Sequence, residues 1–547
     1  MLDGYGVTHV FMVPAILRRT MAELELRTSI TRIRVHGEKA AAYMADGYAR
    51  ASGRPGVCAA QVVGAMNLAA GLREPWLAHS PVIAFTGGRD PRTKFRKVYQ
   101  EVDDVPAFEP VTKFNATLDD AGRIPDMVRQ AFRVATTGCP GPVHLQLRGN
   151  EGQLDLERAH MRPEVEERFA RVPPFRPAAD DATLLHALAE IRTAERPVIV
   201  AGGGVGASGA AADLVALAER LRIPVATSLN GKDSIPGGHA LSVGVVGTYS
   251  RESANRVVKR ADLVVFVGTE TGGMTTHFWA VPPIGVRTVQ IDIEPQNIGR
   301  NYPPRVAVNS DAAVALRRMG ELAGEADAVH RGAWLDEVAS ICAAWRAEHG
   351  PRMASDEEPT RPERICAELT RLVPDDAIVV VDTGHAGMWM GGYFDVRAPG
   401  QRYLRSCGHL GWAFPAGLGA RCARPDRPTV VFTGDAGLWY HIAEIETAVR
   451  WGIATVTVVN NNSAGNQSKR GFERAYGDDV SERSRELWTF TDVDFAQIAD
   501  RVGALGIRVE RPSELGPAVE RAIEAGRPAV VDVRTDTDLL APPPYGA

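Results

Sequence analysis

The sequence predicts three α/β domains in series, each a doubly wound parallel sheet with helices on both faces. Three observations carry this. Short runs of β-branched and aliphatic residues recur along the whole chain, and they are continuous rather than alternating, as in strands buried on both faces. Longer amphipathic stretches separate these runs, as the crossovers of parallel sheets require. Two segments rich in proline and charge, 172–181 (VPPFRPAADD) and 348–363 (EHGPRMASDEEPTRPE), cut the chain into pieces at residues 1–171, 182–347 and 364–547. A length of 547 residues suits three or four domains of ordinary size.

Composition narrows the class before any motif is read. Apolar residues make up 45% and charged residues 24%, and the net charge is −5 with no run of like sign. Nothing in that balance suits nucleic acid or an anionic membrane surface as partner. The six cysteines are scattered without a C-x-x-C pair, so neither a disulfide framework nor a structural zinc site is expected, and a reducing cytoplasm fits. No apolar run approaches the ~20 residues that span a bilayer, and no basic-then-apolar leader opens the chain. Met1 stands almost at the first strand, HVFMVP (9–14), which leaves room for only a stub of a preceding helix.

In the first piece, the strand around RVHGE (34–38) ends at Glu38 and runs into a small-residue helix, KAAAYMADGYA. A lone glutamate beside Lys39 is ordinarily a solvated charge. The middle piece offers strands at PVIVAGGG, ADLVVFVG and TVQIDI, and its GGGVGASG run (202–209) contains G-x-G-x-x-G at a strand-to-helix turn. Alone that run is a packing feature of many α/β turns. The following strand, IPVATSLNG (223–231), lacks the acidic residue of a dinucleotide site, which argues against a nicotinamide dehydrogenase. The last piece has strands at AIVVVD, TVVFTGD, ATVTVVNNN and AVVDV. One of them ends in Gly434-Asp435-Ala436-Gly437, and the next, 27 residues from Asp435, ends in Asn460-Asn461-Asn462. One β-α-β unit brings both strand ends to one sheet edge. An Asp carboxylate and an Asn carbonyl are hard oxygen ligands suited to Mg²⁺ carrying a diphosphate. The bland alternative is an asparagine-rich surface turn.

This unit resembles the diphosphate-binding signature of thiamine-diphosphate enzymes, and the preceding stretch LGARCARPDRPTVVFTGDAG (418–437) agrees with it. Ala436 stands where glycine is commoner. The first piece is similar to the pyrimidine-binding domain of the same enzymes at RVHGEKAAAYMADGYARASGRPGV (34–57), AMNLAAGLREPWLAHSPVIAFTG (65–87), YQEVDDVPAFEPVTK (99–113) and GCPGPVHLQL (138–147). The middle piece matches at QIDIEPQNIGRNYP (290–303). The order is pyrimidine-binding, central Rossmann-like and diphosphate-binding domains, that of the acetolactate-synthase-like family.

The resemblance implies thiamine diphosphate and Mg²⁺ as cofactors. Asp435, Asn462 and the carbonyl of Ala464 would be metal ligands, and Gly434, Ala436, Gly437 and Gly465 would line the diphosphate. Glu38 would be the catalytic glutamate. By bonding the pyrimidine ring it favours the imino tautomer that deprotonates the thiazolium carbon. In SCGHLGWAFPAGLGA (406–420), Gly408, His409 and Leu410 would lie against the cofactor, with Leu410 propping its bent shape, and His385 would contact phosphate. Glutamate and metal site come from different subunits in this family, so a homodimer is the minimum unit and a homotetramer is common. The implied activity is decarboxylation of a 2-oxo acid, acyl transfer to a second carbonyl, or both, on small-molecule substrates.

Substrate identity rests on loops that depart from the acetolactate synthase pattern: MVPAILRR (12–19), QVVGAMN (61–67) and HAGMW (385–389). VGTETGGMTTHFW (267–279) lacks the Arg-Phe-Asp-Asp-Arg type run of flavin-containing synthases, which argues against FAD. The charged stretch 463–495 reads as a lid, with His409, Gln467 or Glu473 as acid-base candidates. Alternatives are a 2-hydroxyacyl-CoA lyase or oxalyl-CoA-decarboxylase-like enzyme acting on an acyl-CoA, for which GGGVGASG and RNYPPR (300–305) would contact the nucleotide. Asn67, where several CoA-lyase relatives carry a histidine, argues against the lyase. A non-catalytic cofactor-binding relative would be expected to lack Glu38 or the metal ligands.

Overall fold

The computed structural model describes residues 1–14, 18–148, 161–324, 331–477 and 481–543. Residues 15–17 of the 12–19 loop, 478–480 of the charged stretch and the terminal 544–547 lie outside the described residues. Among the described residues, three six-stranded sheets follow one another along the chain, and every strand pairing is parallel.

The first sheet comprises β1 (His9–Met12), β2 (Thr31–Arg34), β3 (Gly56–Ala60), β4 (Val82–Gly87), β5 (Phe114–Leu118) and β6 (Val143–Leu147), in the order β2-β1-β3-β4-β6-β5. The second comprises β7 (Pro197–Ala201), β8 (Val225–Thr227), β9 (Ser242–Val245), β10 (Leu263–Val267), β11 (Arg287–Asp292) and β12 (Val306–Asn309), ordered β12-β11-β10-β7-β8-β9. That is the doubly wound order with its switch point between the first and fourth strands. The third comprises β13 (Ile378–Val381), β14 (Arg402–Arg405), β15 (Thr429–Gly434), β16 (Val456–Asn461), β17 (Leu505–Val509) and β18 (Ala529–Arg534), ordered β14-β13-β15-β16-β18-β17. The first and third sheets thus share one topology.

These two like-folded units share one core. A single cluster runs from Phe11, Ile33 and Cys58 of the first to Trp412, Phe414 and Val431 of the third. At its centre the helix Glu38–Ser52 packs on the helix Ala413–Ala423, each being the helix after the second strand of its own sheet. A Cβ at Gly47 would fall 1.9 Å from the Ala416 oxygen, and one at Gly419 would fall 1.9 Å from the Met44 oxygen. Each helix therefore seats a glycine on the other's backbone, an approach that no larger residue allows. The stripe Tyr43, Asp46, Gly47 and Arg50, at helical i, i+3, i+4, i+7 spacing, faces the third unit and meets His409, Trp412, the Ala416 carbonyl and the Arg405 carbonyl in turn.

Two segments differ from the sequence expectation. Residues 348–353, read as linker, continue the helix Gly332–Met353, because Pro351 falls near its end, and Trp345 and His349 anchor it against Tyr393. The stretch 463–495 contains the helix Asn466–Tyr476 rather than only loop. Its polar residues hold the segment after β18: Asn466 Nδ2 donates to the Leu539 carbonyl at 2.8 Å, Lys469 pairs with Asp538, and Arg470 bonds the Ala541 carbonyl. No described helix is long and apolar enough to cross a membrane.

Candidate active site

The two strand ends that carry Asp435 and the asparagines are neighbours, with Gly434 of β15 in register with Asn460 of β16. Asp435 opens the short helix Asp435–Trp439. Its Oδ1 accepts from the Ala436 N–H at 2.8 Å and its Oδ2 from the Ala464 N–H at 3.1 Å. Ser463 adopts φ 54° and turns the chain, and Ala464 forms an antiparallel bridge with Thr489. In that bridge the Ser463 carbonyl and the Gly465 N–H face the partner segment. The N–H and carbonyl of Ala464 therefore face the opposite side, where Asp435 lies.

Asp435 is buried, and no ion pair reaches it among the described residues. Burial pushes its pKa up to about 7, against the pull of N–H groups from Ala436, Ala464 and Ser463. A buried carboxylate without a counter-charge costs several kcal/mol, and such groups are otherwise paired or bound to metal. The donor set of carboxylate, Asn462 and a backbone carbonyl is all oxygen, and Asn460, in register with Gly434, has its Oδ1 buried without a partner. These residues fit a hard divalent cation. Asn461 is differently employed, since its Nδ2 donates to Asp532 and to the Val493 carbonyl, both at 2.9 Å. The Asn462 carbonyl accepts from Thr537 Oγ1 at 2.8 Å.

At the turn itself, the glycine that packing demands is Gly437: a Cβ there would meet Thr433 Oγ1 at 2.5 Å and Asp382 Oδ2 at 2.7 Å. Ala436 is half-buried, and its methyl is accommodated. Asp382, fully buried past β13, was not singled out by the sequence. It accepts from the Gly411 N–H at 3.1 Å and from Thr433 Oγ1 at 2.9 Å, which ties the 406–411 loop to the end of β15. Burial raises its pKa to about 7, with hydrogen bonds from Thr383, Thr433 and Gly411 opposing. Gly411 adopts φ 85° against Tyr440, and Gly408 adopts φ 147°. Leu410 is half-buried and belongs to none of the hydrophobic clusters of the described residues.

His385 heads the helix His385–Tyr393, and both of its ring nitrogens are buried without a hydrogen bond. Burial holds its pKa down at about 3, with Arg470 adding to the effect. Gly465 precedes the helix Asn466–Tyr476 and donates to the Trp488 carbonyl at 2.7 Å.

Glu38 belongs to the first unit. It begins its helix four residues beyond β2, and its Oε2 accepts from Asn67 Nδ2 at 3.2 Å. A Cβ at Gly64 would fall 2.3 Å from Oε1, so that glycine makes room for the carboxylate. Its hydrogen bond and closest packing stay within the first unit. In the central unit, Cβ atoms at Gly202 and Gly204 would strike Gly268 at 2.1 and 2.7 Å. Of the G-x-G-x-x-G glycines 204, 206 and 209, backbone packing requires Gly204, and Gly202 just before the motif is required in the same way.

Comparison with known proteins agrees with this arrangement. Family models for the N-terminal TPP binding domain, the central domain and the C-terminal TPP binding domain of thiamine pyrophosphate enzymes match residues 1–107, 184–319 and 382–533. A probable acetolactate synthase large subunit from Methanocaldococcus jannaschii is 30% identical over 100% of this chain and 92% of its own length. A glyoxylate carboligase from Escherichia coli O157:H7 is 30% identical over 95% of this chain and 88% of its own. A sulfoacetaldehyde acetyltransferase from Alcaligenes xylosoxydans xylosoxydans is 29% identical over 98% and 92%. With all three segments matched in order, the chain belongs to the thiamine pyrophosphate enzymes, as an acetolactate-synthase-like member.

Proposed function

We propose that this enzyme uses thiamine diphosphate with Mg²⁺ to decarboxylate a 2-oxo acid and join the acyl unit to a second carbonyl. The observation that carries the metal is Asp435, a buried carboxylate with no counter-charge beside the backward-turned Ala464 peptide. Asp435, Asn462 and the Ala464 carbonyl would hold the cation, with Gly434, Ala436, Gly437 and Gly465 around the diphosphate. His385 would donate to phosphate, since its ring nitrogens have no other partner. The bound cofactor supplies a carbanion and an electron sink. Glu38 would hydrogen-bond its pyrimidine ring, and Leu410, free of core duty, would support its bent form.

The helix Glu38–Ser52 supports a homodimer. Its Tyr43, Asp46, Gly47 and Arg50 stripe is occupied by the third unit of the same chain. Glu38 lies off that stripe and accepts from Asn67, near which in sequence Val63 and Met66 are exposed, at 49% and 54%. A glutamate bonded within the first unit, in a segment that exposes apolar residues, suits a second subunit's cofactor.

Calorimetric titration of chelator-stripped protein with thiamine diphosphate should give Mg²⁺-dependent binding. Turnover of pyruvate or glyoxylate should then be abolished in Glu38→Gln with the cofactor still bound. Metal-independent binding, or full activity in Glu38→Gln, would refute the reading.

A further inference from the structure

His409 is held from the first unit of its own chain at two points. Its backbone N–H donates to Glu74 Oε2 at 3.2 Å, and the N–H of Cys407 donates to Glu74 Oε1. Glu74 is fully buried, with Arg50 at 3.3 Å as its counter-charge. The His409 ring meets Tyr43 edge to face, with the hydroxyl oxygen 2.8 Å from Nδ1. Tyr43 is fully buried, and among the described residues its hydroxyl has no other hydrogen-bond partner. A buried O–H left without an acceptor costs roughly 1–3 kcal/mol. The hydroxyl therefore donates, Nδ1 accepts, and the ring proton resides on Nε2. An imidazole directs Nε2 away from Nδ1, hence away from Tyr43.

We propose that Tyr43 and Glu74 are positioning residues that present the His409 Nε2–H, beside Leu410, as a fixed hydrogen-bond donor for the carbonyl oxygen of the 2-oxo acid. The inference rests on the thiamine diphosphate site proposed above. Burial holds the His409 pKa below that of an ordinary histidine, with Arg73 and Lys39 adding, so the ring is neutral near pH 7. A neutral donor locked in one tautomer needs no reorganisation as charge gathers on the oxygen. Sequence could not reveal the pair, because Tyr43 and Glu74 meet His409 only across more than 300 residues of chain.

The test begins on the cofactor-free full chain labelled with ¹⁵N-histidine, with the His409 signals assigned by their loss in His409→Asn. The Nε2–H tautomer is expected from pH 6 to 8, with mixed tautomers in Tyr43→Phe. In the loaded enzyme, Tyr43→Phe and Glu74→Gln should each lower kcat about tenfold, with the cofactor Kd unchanged within about threefold. His409→Asn should lower kcat about a hundredfold. An Nδ1–H tautomer in the wild type, or an unchanged kcat in Tyr43→Phe, overturns the proposal. A wild type that keeps the tautomer yet binds no thiamine diphosphate overturns the site reading instead, and with it the donor's role.

Discussion

Asp435 is charged only when something compensates its burial. With a pKa near 7 it carries a proton through much of the acid range, whereas an exposed aspartate is ionised above about pH 4. The fold therefore binds that proton more tightly than the unfolded chain does. This contribution to the stability of the cofactor-free protein is full below the unfolded pKa and is lost as pH rises through 7. Cation binding has the opposite sign, because the ligand must be ionised. Affinity for Mg²⁺ with thiamine diphosphate should rise about tenfold from pH 6 to pH 8, with proton release detectable by calorimetry in buffers of different ionisation enthalpy. A flat affinity across that range would remove Asp435 from the metal shell.

At the scale of elements, the glycines between the helices Glu38–Ser52 and Ala413–Ala423 set the distance between two units. Gly47→Ala or Gly419→Ala forces a Cβ into a backbone carbonyl, which a helix cannot yield as a side chain would. Each substitution should cost about 3 kcal/mol and lower Tm by several degrees in a thermal melt. A Tm within a degree of wild type would show that the helices slide freely. These elements were largely legible in the sequence, since continuous apolar strands and the GDAG and NNN turns need only local pattern. The helix through 348–353 was not, because Pro351 and neighbouring charges read as a linker while its anchors, Trp345 and His349, pack on residues of another unit. Asp382, Tyr43 and Glu74 carry no local signature. Their roles arise from strand ends and helix faces that meet only in the folded chain.

For the whole molecule, the shared topology of the first and third sheets means that the chain packs two like-folded units on one another. The central sheet keeps a different strand order and has its own cores. The family and the three-unit plan were legible because the motifs recur in chain order. Which half faces which was not, since that depends on the 43/46/47/50 stripe being covered within the chain.

In the dimer proposed above, the glycine-to-carbonyl seating would also decide how a bound cofactor leaves. With backbones in contact, the first and third units of one chain cannot hinge apart without breaking their common core. Opening would then be left to the boundary between the proposed subunits. Release of thiamine diphosphate should therefore track subunit separation. On dilution of the loaded enzyme, activity should decay at the rate of dimer dissociation measured by light scattering, and excess cofactor should slow that decay. Loss of cofactor from an intact dimer at the same rate would place the exit elsewhere.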